Sequence, residues 1–164
     1  MTIKKSHTLV SWMAVAAMLL TACNGNDKRV VSLYQHVDNA TWNSQDSIVF
    51  PIDSIAQSGC YRLSVDIRTT SKVPFQKIYV TAEQDYSMPA LHRRDTVMIR
   101  LTDEAGKIQG KGFNHYCFTA PVKAAVHLRK GQSGQISLSH IMRRTQLSGI
   151  SDIGITLSHE DCSH

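Results

Sequence analysis

Apolar and polar residues alternate with a period of two along most of the chain. The clearest run is residues 61–68, Tyr-Arg-Leu-Ser-Val-Asp-Ile-Arg, in which apolar and polar positions follow each other strictly. Because successive side chains of a strand point to opposite faces, this run predicts a strand with one face on a core and one in water. That arrangement is typical of antiparallel sheets.

The same alternation recurs in short segments separated by turns rich in glycine, proline and polar residues. About nine such segments predict an all-β fold, an antiparallel two-sheet β-sandwich of jelly-roll or Greek-key type. Pro51 has no N–H to donate, so its strand is expected at a sheet edge or with a bulge. Residues 141–151 have no clear period, and we expect a turn or one helical turn there. The predicted strands cover residues 31–37, 48–52, 61–68, 78–83, 96–101, 116–120, 125–128, 135–139 and 153–157.

The N-terminus departs from this pattern. Lys4 and Lys5 precede an uncharged apolar run over residues 8–20, which is too short for a membrane-spanning helix and is typical of an export signal. The run ends in Leu-Thr-Ala-Cys, which looks like the lipobox of a bacterial lipoprotein. That likeness implies cleavage before Cys23 and attachment of a diacylglycerol to its thiol and an acyl chain, such as palmitate, to its amine. Two or more chains are needed for a stable membrane anchor.

The signal divides the chain into four parts. We expect a cleaved lipoprotein signal peptide at 1–22, a lipidated tether at 23–30, a single β-sandwich domain at 31–158 and a disordered tail at 159–164. Cleavage leaves 142 of the 164 residues, which is enough for one ordinary core, and lowers the formal charge from +5 to +3. The remaining basic residues are scattered, so the chain has no stripe suited to nucleic acid.

Three cysteines remain besides Cys23, and the exported location would allow one bridge among them. Cys60 and Cys117 both fall in strand-like segments, so a disulfide between them is one alternative. Three unbridged thiols are the other alternative, because the sequence does not give the distance between sulfurs.

The sequence contains no motif for phosphate binding, zinc-dependent proteolysis or nucleophilic hydrolysis, and we predict neither a cofactor nor a catalytic site. Asp66 and Glu83 lie on the polar phase of their strands and could meet on one outer face as a carboxylate pair for acid/base chemistry, and the alternative is a solvated face. His140 lies in phase with apolar neighbours and would need a partner if buried. The tail His-Glu-Asp-Cys-Ser-His has residue types that bind soft metals, but its terminal position argues against a metal site.

Four aromatic residues fall outside the alternating core set. Exposed together, they would form a platform for sugar stacking or for protein contact. Alternatively they cap the open ends of the sandwich. The four are Trp42, Phe75, Tyr86 and Phe113.

Four ordered segments carry a resemblance to a known family. They are Tyr34-Gln35-His36 with Trp42, then 61–68 with Pro74-Phe75 and 78–80, then 110–113, and finally 139–143 with 149–155. In this order and spacing they resemble the gliding-motility lipoprotein H family (GldH) of Bacteroidetes. The resemblance covers residues 30–158, and it implies no catalytic residues, only Cys23 as the lipid site. The chain departs from the family pattern by a shortening between Phe113 and Ala125.

This resemblance implies a non-enzymatic accessory lipoprotein of the gliding-motility and type IX secretion apparatus, which would contact other envelope proteins. The six residues after Cys23 contain one acid and two bases. Surface-exported lipoproteins of the phylum tend to carry an acidic run there, so we expect a periplasm-facing domain, with the outer membrane favoured. The alternative is a glycan-binding envelope lipoprotein with a jelly-roll domain.

Overall fold

The computed structural model describes residues 29–71 and 73–162. This part of the chain holds twelve strands and one short 3-10 helix, Asp38–Ala40. No helix within it is long and apolar enough to cross a membrane. The strands are β1 Arg29–His36, β2 Thr41–Asn43, β3 Ile48–Ile52, β4 Gly59–Thr70, β5 Lys77–Ser87, β6 Leu91–Arg100, β7 Lys111–Gly112, β8 His115–Pro121, β9 Val126–Leu128, β10 Ser133–His140, β11 Gln146–Ser148 and β12 Ile150–Glu160.

Two antiparallel sheets pack face to face. The large sheet has the order β1-β12-β4-β8, extended by β7 beside β8 and by β9 beside β4. The small sheet has the order β3-β10-β5-β6, and β2 pairs with β11 in a separate ribbon. The chain crosses repeatedly between the two sheets, with β5 and β6 forming a hairpin within the small sheet, so the predicted all-β sandwich is confirmed. Pro51 lies in β3, an edge strand of the small sheet, as its missing N–H requires.

The core lies between the sheets and is built from the apolar phase of the alternating strands. All four apolar residues of 61–68 are at most 1% exposed. Each fully buried side chain of this size contributes about 1.5–3 kcal/mol through its removal from water. The large sheet contributes Tyr61, Leu63, Val65, Ile67, Ile153, Ile155 and Leu157, and the small sheet Phe50, Ile78, Val80, Val97, Ile99, Ile136 and Leu138.

Two boundaries differ from the sequence prediction. β1 begins at Arg29, so the last two residues of the predicted tether belong to the sheet. Residues 141–151, expected as a turn or helical turn, include β11. Leu147 of β11 lies opposite Trp42 of β2 and both are buried, so a long-range pairing orders this stretch without any local period.

The predicted disordered tail is also wrong where the structure describes it. β12 continues to Glu160, and Cys162 forms a disulfide with Cys60 at a Cα–Cα distance of 5.4 Å.

The alternative pairing of Cys60 with Cys117 is excluded by strand register. Cys117 lies opposite Arg68, eight residues along β4 from Cys60, or about 26 Å at the rise of a strand. Bridged cysteines need Cα atoms within about 7 Å. Cys117 keeps a free thiol.

A bidentate salt bridge between Arg62 and Glu160 holds the same end of β12. Arg62 donates through Nε and Nη2 to the two carboxylate oxygens of Glu160, at 2.5 and 2.6 Å. Its Nη1 also donates to the carbonyls of Val122 and Lys123, at 2.9 and 2.7 Å. One guanidinium therefore joins β4, β12 and the connection from β8 to β9.

We predict that replacing both Cys60 and Cys162 by serine lowers the unfolding free energy by about 2–5 kcal/mol, because the bridge closes a long loop. Urea denaturation of the oxidised mature domain measures the change. Cys117→Ser is the matched control, with an expected change below about 1 kcal/mol. A double variant as stable as the parent would contradict the structural role of the bridge.

Candidate functional site

The predicted lipid site, Cys23, lies outside the described residues, as does the predicted signal peptide at 1–22. The structure does describe the sheet into which this segment leads. β1 begins six residues after Cys23, on the edge of the large sheet.

The two carboxylates considered as an acid/base pair do not meet. Asp66 lies on the outer face of β4 and is buried, where it accepts hydrogen bonds from Thr119 Oγ1 at 2.5 Å and Thr156 Oγ1 at 2.8 Å. Glu83 lies on β5 in the other sheet and forms an ion pair with Arg94 at 3.2 Å. Two carboxylates in different sheets, each with partners of its own, do not form the converging pair that acid/base hydrolysis needs.

Asp66 belongs to a packed cluster on the outer face of the large sheet. The ring of Tyr34 lies over Gly154, where a Cβ would stand 2.5 Å from the ring. The guanidinium of Arg68 covers that ring, with Cζ 4.4 Å from the centroid, an arrangement that is attractive through the ring quadrupole. Burial raises the pKa of Tyr34, and the nearby Asp66 carboxylate raises it further. The phenol therefore stays protonated at neutral pH beside the Asp66 carboxylate.

His140 occupies the core position that its sequence phase indicates. It is 3% exposed, and its ring meets Trp42 edge to face at a centroid distance of 5.1 Å. Neither ring nitrogen has a well-formed hydrogen bond, although backbone groups of Trp42 and Thr145 lie close enough to favour the protonated ring. Burial is the larger effect and lowers the pKa of His140.

The four aromatic residues outside the alternating set do not form a platform. Trp42 and Tyr86 are buried and Phe75 is partly buried, whereas Phe113 is 88% exposed in a loop. Trp42 Nε1 donates to the Asp46 carbonyl at 2.9 Å, as a buried indole requires. The glycan-binding alternative loses the grouped exposed aromatics on which it depended.

The C-terminal residues considered for metal binding are engaged in other contacts. Cys162 is in a disulfide, Glu160 is paired with Arg62, and His159 packs edge to face on Tyr61 at 5.3 Å. Across residues 29–71 and 73–162, no group of three or more potential ligands is placed to hold a metal ion.

The outer face of the small sheet carries an exposed apolar cluster, which we call the distal patch. Tyr79 of β5 and Met98 of β6 lie directly opposite each other and are each 41% exposed. Ile141, 51% exposed, joins them because its N–H donates to the Tyr79 carbonyl at 3.0 Å. Lys77 and Arg100 are also directly opposite each other and exposed on this face. Like charges in that position repel, so a carboxylate from outside would be favourable there.

Sequence comparison decides the family. The profile of the GldH lipoprotein family matches residues 29–157, from the first described strand nearly to the end of the last. The chain belongs to the GldH lipoprotein family. Membership implies a membrane-anchored protein of the cell envelope. A comparison with curated proteins gives no match.

Solved structures give only distant similarities. Eiger TNF from S. frugiperda is 9% identical, with a TM-score of 0.36, and the match covers 82% of this chain and 95% of that chain. CBM35 from Cellvibrio japonicus Abf62 is 16% identical, with a TM-score of 0.37, over 81% of this chain and 100% of that chain. TM-scores this low support no argument about function.

Three of the four segments that carry the GldH resemblance contact one another. Tyr34 of the first segment meets Arg68 of the second and Gly154 of the last, on the outer face of the large sheet. Trp42 of the first meets His140 of the last, where the β2–β11 ribbon contacts the small sheet. The contacts between these motif residues are packing contacts.

Sequence reasoning missed the distal patch, although a signal for it exists. Tyr79 and Met98 are apolar residues on the solvent phase of their strands, where the alternation otherwise gives polar side chains. Tyrosine and methionine are enriched at protein interfaces, so large apolar residues out of phase are worth marking in any such strand.

We predict that the unfolding free energy falls as pH drops from about 7 to 5, in part through His140. Its folded-state pKa is lowered, so below the unfolded value of about 6.5 the unfolded chain takes up a proton that the folded chain does not. Urea denaturation at several pH values measures the slope. His140→Phe should flatten it, whereas the same change at exposed His127 should not. A His140→Phe slope equal to that of the parent would contradict this assignment.

Proposed function

We propose that this GldH-family lipoprotein is an accessory component of the gliding-motility and type IX secretion apparatus. It acts by contacting other envelope proteins and catalyses no reaction itself. Family membership supports the setting. The observation that carries the mode of action is the distal patch, a contiguous group of exposed apolar side chains at the start of β5 and the end of β6.

The distal patch has the composition of a contact surface. Tyr79 is amphipathic, so it can bury its ring and still hydrogen-bond at the rim, and Met98 adapts to an irregular partner surface. Lys77 and Arg100, directly opposite each other, add positive charge beside the patch. The partner that fits is a protein surface with an apolar centre and acidic residues at its edge.

The domain is held in the envelope by lipid on Cys23. The outer membrane is the favoured location, with the domain facing the periplasm, because residues 24–29 lack an acidic run. A second acyl chain makes this attachment stable, since each buried CH₂ contributes about 0.8 kcal/mol.

We predict that Tyr79→Ser combined with Met98→Thr weakens partner capture at least about tenfold, because central aromatic contacts contribute about 2 kcal/mol or more each. Crosslinked envelopes are affinity-purified through the tagged chain, and the recovered envelope proteins are quantified. Val49→Thr is the matched control, because Val49 is equally exposed at 41% but lies on the edge strand β3. Equal recovery from the patch variant and the parent would contradict a contact role for the patch.

We predict that Cys23→Ser abolishes lipid attachment and leaves the chain extractable without detergent, because no acyl chain remains to partition into the membrane. Membrane fractionation and the mass of the N-terminal peptide measure this. Cys117→Ser, which removes the free thiol of the described domain, should fractionate like the parent. Retention of Cys23→Ser in the membrane after alkaline extraction, in chains whose N-terminal peptide mass shows that residues 1–22 are gone, would contradict anchorage through this residue. Protease accessibility in intact cells would contradict the periplasmic orientation.

A further inference from the structure

Strand directions determine which end of the sandwich lies next to the tether. β1 begins at Arg29, which lies opposite Ser158 of β12, and Ser158 in turn lies opposite Arg62 of β4. This is the end at which β4 starts and β9 finishes, since Gly59 lies opposite Leu128. The large sheet therefore presents Arg29 and the C-terminal residues 160–162 at one common end.

The turns of the small sheet reach the same end. Gln132 follows β9 and donates through Nε2 to the carbonyl of Pro89 at 2.7 Å, which ties the β5–β6 turn to the β9–β10 turn. The Gly131 N–H donates to the Ile55 carbonyl at 2.8 Å, which adds the β3–β4 connection. We call this group of turns, with Arg29, the proximal end. Residues 37–47, 73–76 and 102–114 lie at the other end of the strands.

The tether is too short to hold the proximal end far from a bilayer. Residues 24–28 separate Arg29 from the lipid site at Cys23, and the six Cα–Cα steps from residue 23 to residue 29 can span at most about 20 Å. A strand as long as β12, with 11 residues, extends about 36 Å. The tether is therefore shorter than the domain, which limits the orientations that the domain can take.

The proximal end has side chains suited to a lipid interface. Met88, at the tip of the β5–β6 turn, is 86% exposed, and Lys123, Arg129 and Lys130 are exposed around the same end. Asp53 and Asp161 are exposed there too, so the basic side chains outnumber but do not exclude acids. An apolar tip among basic residues can enter the headgroup region while the charges meet anionic lipids.

We propose that the proximal end rests on the bilayer that holds the lipid anchor, with Met88 inserted among the lipid headgroups and Lys123, Arg129 and Lys130 above anionic phosphates. This inference rests on the proposed lipidation of Cys23. Exposure alone does not select this end, because Phe113 at the other end is 88% exposed. The short tether selects the proximal end, because it keeps that end close to the bilayer. The contact directs the distal patch, near the start of β5, away from the membrane surface.

Tryptophan fluorescence tests the proposal on the lipidated, full mature chain. Of the two tryptophans, Trp12 leaves with the signal and Trp42 is buried, so an introduced tryptophan reports on its own position. Met88→Trp and Phe113→Trp form a pair with matched exposure at opposite ends. Each variant is reconstituted into phosphatidylethanolamine–phosphatidylglycerol vesicles that carry brominated acyl chains, and flotation measures anchorage separately.

The expected result is loss of at least about half of the added emission in Met88→Trp, because interfacial side chains sit about 5–10 Å into the headgroup and acyl boundary. Phe113→Trp emission should be unchanged. Flotation without quenching at position 88, or with equal quenching at position 113, overturns this inference and leaves the anchor intact. Failure to float overturns the anchor and the inference together. Shielding of position 88 from aqueous iodide without quenching by brominated lipid indicates a protein contact instead and also overturns the inference.

Discussion

The fold depends on the position of its last strand. β12 lies between β1 and β4 in the large sheet and forms backbone ladders with both. Among the described strands, β12 is the one whose backbone pairs with β1, so the ladder that holds the first described strand is formed by the last one. The C-terminal end of β12 is held to β4 by two side-chain interactions, the disulfide from Cys60 to Cys162 and the salt bridge from Arg62 to Glu160. The strand that pairs with β1 is therefore covalently joined to β4.

The alternating strands could be predicted from the sequence because burial of one face is a local rule. Residues 61–68 have the predicted core face, and Pro51 lies at the predicted kind of edge. The rule fails where a polar side chain finds partners on a neighbouring strand. Asp66 is on the solvent phase but is buried beneath Tyr34 and two threonines. Only the register of four strands, β1, β4, β8 and β12, makes that cluster, and a single sequence does not specify register.

Long-range pairing also explains the other differences between the sequence prediction and the structure. Trp42 has no apolar period around it, yet Leu147 and His140 cover it from segments about a hundred residues later. The tail lacks any hydrophobic run, but its cysteine reaches the first residues of β4 because β12 ends beside them. Residues at chain ends are expected to be disordered unless something ties them down. Here a disulfide bond orders the chain end. The spacing of the cysteines in the sequence did not reveal that Cys60 is the partner of Cys162.

We propose different roles for the two ends of the sandwich. The proximal end faces the membrane and the distal patch faces a partner protein. Lysine-reactive crosslinking mass spectrometry on intact envelopes tests this division most directly, because Lys77 lies beside the distal patch whereas Lys123 and Lys130 lie at the proximal end. The account predicts crosslinks from Lys77 to another envelope protein and none from Lys123 or Lys130. Partner crosslinks confined to Lys123 and Lys130, with none at Lys77, would contradict it.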